Sequence, residues 1–162
     1  MANIKLDAAL EEIEMTYQQL NAIATDMLYE QFDHINLLID EITNNVNNLS
    51  VEDIRGYILR LSLKAYNLSE VKDKSSLKAE LASAMRKESY ARKYSEGQGT
   101  AGAKDTYALI EISDKIVAEA LYNLVANLLK TKQDQIHRVV DSLKSVLMSR
   151  MQEAKLSMNG LE

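Results

Sequence analysis

The feature that most constrains this chain is a shortage of residues able to stop a helix. Among 162 residues there is no proline, and only 5 are glycine. Proline breaks helix interiors because it lacks an N–H and clashes with the preceding turn, while glycine punctuates turns. A chain nearly without either is expected to run in long helices. Three of the five glycines (Gly97, Gly99, Gly102) fall together, so one clear break is expected at residues 96–102. Cysteine is absent, which removes disulfides, thiolate metal sites and cysteine nucleophiles.

Apolar periodicity carries the same reading. From Ile13 through Tyr17, Leu20, Ile23, Ala24, Met27 and Leu28 to Phe32, Ile35, Leu38, Ile39 and Ile42, apolar residues recur at helical spacing as one stripe. An acidic first helix is therefore expected over 1–48, with a bend near Asp33, closing in the turn-forming run Thr43-Asn44-Asn45-Val46-Asn47-Asn48. Ser50, followed by the acids Glu52 and Asp53, suits the start of the next helix. A basic helical region is expected over 50–95, as a helix to about Tyr66, a polar connector over 67–74, and a third helix capped by Ser75. Beyond the glycines, a long helical region is expected over 103–158, with Lys130 to Gln135 as a place where it bends or divides. Ile136, Val140, Leu143 and Leu147 follow a 4-3-4 spacing, the pattern of a coiled-coil seam. That stripe is longer than short upstream helices can cover, and it predicts a homo-oligomer joined along those four residues. The expected fold is all-α, a single-domain helical bundle with a long C-terminal oligomerisation helix.

Motifs that would carry chemistry do not survive their context. Gly97-Gln98-Gly99-Thr100-Ala101-Gly102 matches the three-glycine dinucleotide pattern, but that pattern works only after a buried strand, and charged helical residues precede it here. Ser75-x-x-Lys78 has the spacing of a serine–lysine acyl-transfer pair without its companion motifs. His34 and His137 stand in no ligand spacing; di-iron bundles need Glu-x-x-His, whereas Gln31 and Asp134 occupy the partner positions. No catalytic residue, metal site or cofactor is expected. The N-terminus lacks the apolar core of a signal peptide, and no stretch approaches the ~20 apolar residues of a membrane span. A cytoplasmic protein is expected.

Charge is the informative feature. The net charge of −5 argues against indiscriminate nucleic-acid binding. It hides a segregation, however: residues 1–50 hold one lysine against nine acids, and residues 55–93 hold ten bases against four acids. Lys78, Arg86, Lys87, Arg92 and Lys93 crowd the approach to the glycines, interleaved with Tyr90 and Tyr94. Bases neutralise phosphates and tyrosine rings offer stacking faces, so these seven residues are the candidate single-stranded DNA site.

The run from Leu77 to Gly99, ending Ala91-Arg92-Lys93-Tyr94-Ser95-Glu96-Gly97-Gln98-Gly99, resembles the middle of the UvsY-type phage recombination mediators. Leu63-Lys64-Ala65-Tyr66, Tyr122 and Val146-Leu147-Met148-Ser149-Arg150 fit the same layout, so the likeness spans roughly residues 55–155. It implies an oligomeric ring that binds single-stranded DNA and helps load a recombinase past the single-strand-binding protein. A family DNA-binding base matches Arg92; a second corresponds to Tyr90, a departure that Lys87 and Lys93 could offset. The resemblance leaves the acidic first helix as an addition. A different expectation follows from that helix, namely a phage accessory protein whose acidic arm binds a host or defence protein without touching nucleic acid.

Overall fold

The computed structural model describes the backbone of residues 2–159 and the side chains of residue 11 and residues 13–156. The protein is all-α, with four helices: α1 Ala2–Asn45, α2 Val51–Glu96, α3 Ala101–Glu111 and α4 Ser113–Asn159. α1 runs unbroken through Asp33, and α4 through Lys130 to Gln135, so neither expected bend interrupts the helical hydrogen bonding.

The polar connector expected over 67–74 is helix, and α2 is one element of 46 residues. The reason lies in spacing. Leu61, Ala65, Leu68, Ser75 and Ala79 are all buried, and their 4-3-7-4 steps keep one inward stripe running through the segment. Its polar residues occupy outward positions, and it contains no glycine or proline to break it. Ser75, expected as a cap, is instead a buried mid-helix residue.

The cap expected at Ser50 is present. The Asp53 amide donates to Ser50 Oγ (3.1 Å), and the Ser50 amide donates to Asp53 Oδ2 (2.9 Å), a reciprocal capping box. Ser50 Oγ also donates to Asp53 Oδ2 (2.6 Å), and this bond first, then the one from the Ser50 amide, holds the Asp53 carboxyl below its ordinary pKa.

The expected long helix from residue 103 is divided. α3 ends at Ile112, whose backbone turns out of helical geometry (φ −112°, ψ 12°), and α4 begins at Ser113 with Asp114 in its first turn. Ile112 is itself buried, so an apolar anchor pins the break. Ser113-Asp114 is a helix-start signal hidden inside an apolar run.

The chain folds into two compact units: unit 1 is Met1–Leu28 with Lys72–Asn127, and unit 2 is Tyr29–Val71 with Leu128–Glu162. They cut across the consecutive segments expected from sequence, because α1, α2 and α4 each contribute residues to both.

Unit 2 has a core of large side chains. Ile35, Leu38 and Ile42 of α1, Ile54, Leu61 and Leu68 of α2, and Leu129, Ile136, Val140 and Leu143 of α4 are all buried. Each side chain of this size contributes about 1.5–3 kcal/mol on full burial. Ile136, Val140 and Leu143 therefore do not form an open seam. They are 0%, 4% and 2% exposed within the single chain, and only Leu147 keeps partial exposure. The 4-3-4 spacing describes an intramolecular three-helix contact, which uses the same knobs-into-holes geometry as a coiled coil between chains. Arg150 closes this unit by donating to the carbonyls of Val46 (2.9 Å) and Asn47 (3.0 Å), beside the C-terminal end of α1.

Unit 1 is built differently. Its buried residues are mostly small: Ala24, Ser75, Ala79, Ser89 and Ala108, with Leu28, Ile112 and Val125. Small side chains let helix axes approach closely but remove little apolar area from water. Large ones stay outside, with Leu77, Leu81, Ile110 and Val117 46–66% exposed.

Candidate nucleic-acid interface

All seven residues expected to meet DNA lie on α2 within unit 1. Near ~100° per residue, the helix divides them among three directions. Lys78 and Arg92, fourteen residues apart, share one flank with Leu81 and Met85. Lys87, nine residues from Lys78, lies on the opposite flank. Arg86, Tyr90 and Lys93 face inward toward α3 and α4.

The inward group is occupied. Arg86 Nε donates to Glu119 Oε2 of α4 at 2.6 Å, with both side chains no more than 33% exposed. That guanidinium, through its hydrogen bond first, holds the Glu119 carboxyl below its ordinary pKa. The Tyr90 hydroxyl donates to Asp105 Oδ1 of α3 at 2.6 Å, and bonding to a carboxylate raises the phenol's pKa. Lys93 Nζ lies 3.0 Å from Glu96 and 3.7 Å from Glu111 of α3, and the hydrogen bond to Glu96 leads in raising its pKa. These contacts tie α2 to α3 and α4. With Arg86 and Lys93 ion-paired and the Tyr90 hydroxyl bonded, this group has less charge to offer a phosphate than the outward one.

The outward group is more open. The Arg92 side chain is 66% exposed, with Glu96 at a marginal 4.0 Å. Lys87 is exposed and makes no ion pair among the described residues. Lys78 Nζ sits 5.5 Å from the centre of the Tyr122 ring of α4, a cation–π contact that leaves the ammonium at the surface. Tyr94 is half-buried and stacks on Tyr90, their centroids 6.0 Å apart and planes at 30°. Tyr90 is therefore committed to Asp105 and Tyr94 rather than free for a base.

The glycine turn joins this surface to α3. Gly99 has φ +94°, a conformation that L side chains rarely adopt. Gly97 approaches α3 so closely that a Cβ there would lie 3.2 Å from Lys104 Cα. Thr100 caps α3 by accepting from the Ala103 amide at 3.4 Å. Both glycines are thus accounted for by a tight helix-to-helix turn.

Sequence reasoning missed Asp105, Glu111 and Glu119, the acids that engage three of the seven candidates. They lie 15 to 33 residues from their α2 partners, and only the hairpin geometry brings them together. Both histidines are exposed and stand in unit 2. No group of three or more metal-ligating side chains occurs among the described residues. No helix among them is long and apolar enough to cross a membrane. Comparison with protein-family models, with curated proteins and with solved structures found no match to this chain.

Proposed function

We propose that the protein is a non-catalytic, self-associating factor that binds single-stranded DNA in the manner of a phage recombination mediator. In this reading it acts in the host cytoplasm and helps a recombinase load where a single-strand-binding protein is already in place. The observation that carries it is the outward set on α2. Lys78, Lys87 and Arg92 keep their charges at the surface, while Arg86, Tyr90 and Lys93 brace the helix from behind. A helix held rigidly by its inner charges presents its outer ones at fixed spacing, suited to repeated phosphates rather than to a sequence. The resemblance around Arg92 and the glycine turn points the same way.

The test is binding of a labelled oligothymidylate across a salt series. Affinity should fall steeply, with a log–log slope of roughly 0.7 per phosphate contacted. Replacing Lys78, Lys87 and Arg92 together by Ala should flatten that slope by up to about 2, with helicity unchanged. Failure of the parent to bind at low salt overturns the reading, and full-strength binding by the triple variant overturns the site.

A second reading rests on its own observation. Along α1, Glu11 and every residue from Ile13 to Gln19 are exposed, including Ile13, Met15 and Tyr17. An acidic helix with uncovered apolar residues suits a host or defence protein as partner, without nucleic acid. Pull-down of one such protein by the parent, coupled with no DNA binding, would favour it.

A further inference from the structure

Unit 1 carries two complementary surfaces that are both left open in a single chain. The first is a groove of about 240 Å³ between α2 and α4, with Leu81, Ala82 and Met85 on one side and Ala118 and Tyr122 on the other. Leu81 and Met85 are 59% and 49% exposed, and Lys78 and Lys115 stand at the edges. It is an apolar trough with Lys78 at one rim and Lys115, 3.6 Å from Asp114, at the other.

The second surface is the leading part of α1. The stripe that buries Ala24 and Leu28 extends back to Tyr17 and Ile13 by helical steps, yet these are 53% and 64% exposed. A periodic stripe is explained by burial, and none of the described residues buries this part of it. Its neighbours are acidic: Glu11 and Glu14 are exposed, and residues 1–28 hold five acids against Lys5 alone.

We infer that the groove between α2 and α4 receives the acidic segment 11–23 of α1 from a second copy of this chain. The fit is apolar at the centre, with Ile13 and Tyr17 against Leu81 and Met85, and ionic at one rim, where Glu14, next to the apolar stripe on the helix surface, meets Lys78. This is an amphipathic helix laid in a groove. Opposite charges at that rim set its orientation and disfavour other partners. Each copy offers one arm and one groove, so the contact closes as a reciprocal dimer or as a ring. The inference deepens the self-association part of the proposed function. It moves the interface away from Ile136, Val140 and Leu143, which are buried in unit 2. Lys87 and Arg92 lie outside the groove and stay available to DNA.

The experiment is light scattering on the full chain, without DNA, at tens of micromolar. The parent should exceed its monomer mass of 18.2 kDa. Ile13→Asp with Tyr17→Asp should reduce it to that mass, and so should Leu81→Asp with Met85→Asp. All four residues are exposed, so helicity by circular dichroism should be retained in both variants. Mixing the two is the decisive arm. One retains an intact groove and the other an intact arm, so the mixture should regain a species of twice the monomer mass. A monomeric parent overturns the inference, as does a parent mass unchanged in either variant. A mixture that stays monomeric overturns it too, because two like surfaces meeting each other cannot be rescued this way. DNA binding is scored separately on Lys87 and Arg92, which do not line the groove, so either idea can fail alone.

Discussion

Unit 2 and unit 1 share α1, α2 and α4, with α3 in unit 1 alone, yet they are held together by different physics. Among the described residues, six of the seven largest fully buried side chains (Ile35, Ile54, Leu61, Leu129, Ile136 and Leu143) are in unit 2 and one, Ile112, is in unit 1. Unit 1 instead ties α2 to its neighbours through Arg86–Glu119, Tyr90–Asp105 and Lys93–Glu111 over small residues. Both units expose large apolar side chains, Leu59 and Leu63 in one and Leu77 and Leu81 in the other, so the difference lies beneath the surface. Among the described residues, unit 2 has the larger apolar core. A small-residue core makes unit 1 the part whose stability gains most from a partner.

The largest expected effect tests that contrast directly. Leu143 is 2% exposed, and truncating a leucine so buried should cost about 2–5 kcal/mol through lost transfer energy and the cavity left behind. Leu81, 59% exposed, should lose less than about 0.5 kcal/mol on the same change when measured in the monomer. Urea titration of Leu143→Ala and Leu81→Ala at a concentration that favours monomer measures both. Equal losses would break the comparison.

A smaller effect sharpens it by setting one substitution in both units. Gly56, in the α2 segment of unit 2, has open space where a Cβ would be placed. Gly56→Ala should therefore stabilise by about 0.5–1 kcal/mol, since alanine loses less backbone freedom in a helix. Gly99, in the unit 1 turn, has φ +94°, and Gly99→Ala should destabilise by about 1–2 kcal/mol. Thermal melts of the pair should move in opposite directions. A shift of the same sign in both would mean that Gly99 is not held in its left-handed conformation in solution.

How much of this was legible in the sequence varies between the units. The helical class, the break at the glycines and the cap at Ser50 were readable, because proline, glycine and serine act locally. The stripe at Ile136, Val140 and Leu143 was also readable, but its partner was not: a 4-3-4 spacing is identical whether the facing helix belongs to the same chain or another. Residues 67–74 misled because polarity suggested a loop, while the deciding feature was Leu68 and Ser75 continuing an inward stripe. Ser75 carries no apolar signal. In the candidate site, a count of bases could not tell Arg92, which is exposed, from Arg86, which is paired to a carboxylate 33 residues away.

The smallest expected effect concerns pH, and it separates a tether from a cap. Glu119 of unit 1 and Asp53 of unit 2 both have carboxyl pKa values below the ordinary one, from the Arg86 hydrogen bond in the first case and the Ser50 hydrogen bonds in the second. A carboxylate depressed in the folded state contributes stability that is complete above its unfolded value of about 4. That contribution fades as pH falls through the lower folded value. Parent and Glu119→Gln should therefore differ in melting temperature near neutral pH, and the gap should begin to narrow near about pH 4 and close only below the lower folded value. Asp53→Asn should behave likewise, but the structural consequences differ. Asp53 bonds only within the first turn of its own helix, so acid should lower amide protection, taken against the intrinsic rate at the same pH, in that turn. Glu119 joins two helices, so acid should lower protection along α2 on either side of Arg86. Exchange measured by residue at neutral and acid pH decides between these outcomes. If amides around Arg86 stay as protected in acid as at neutral pH, apolar packing rather than the Arg86–Glu119 pair holds unit 1, and the contrast between the units is one of degree.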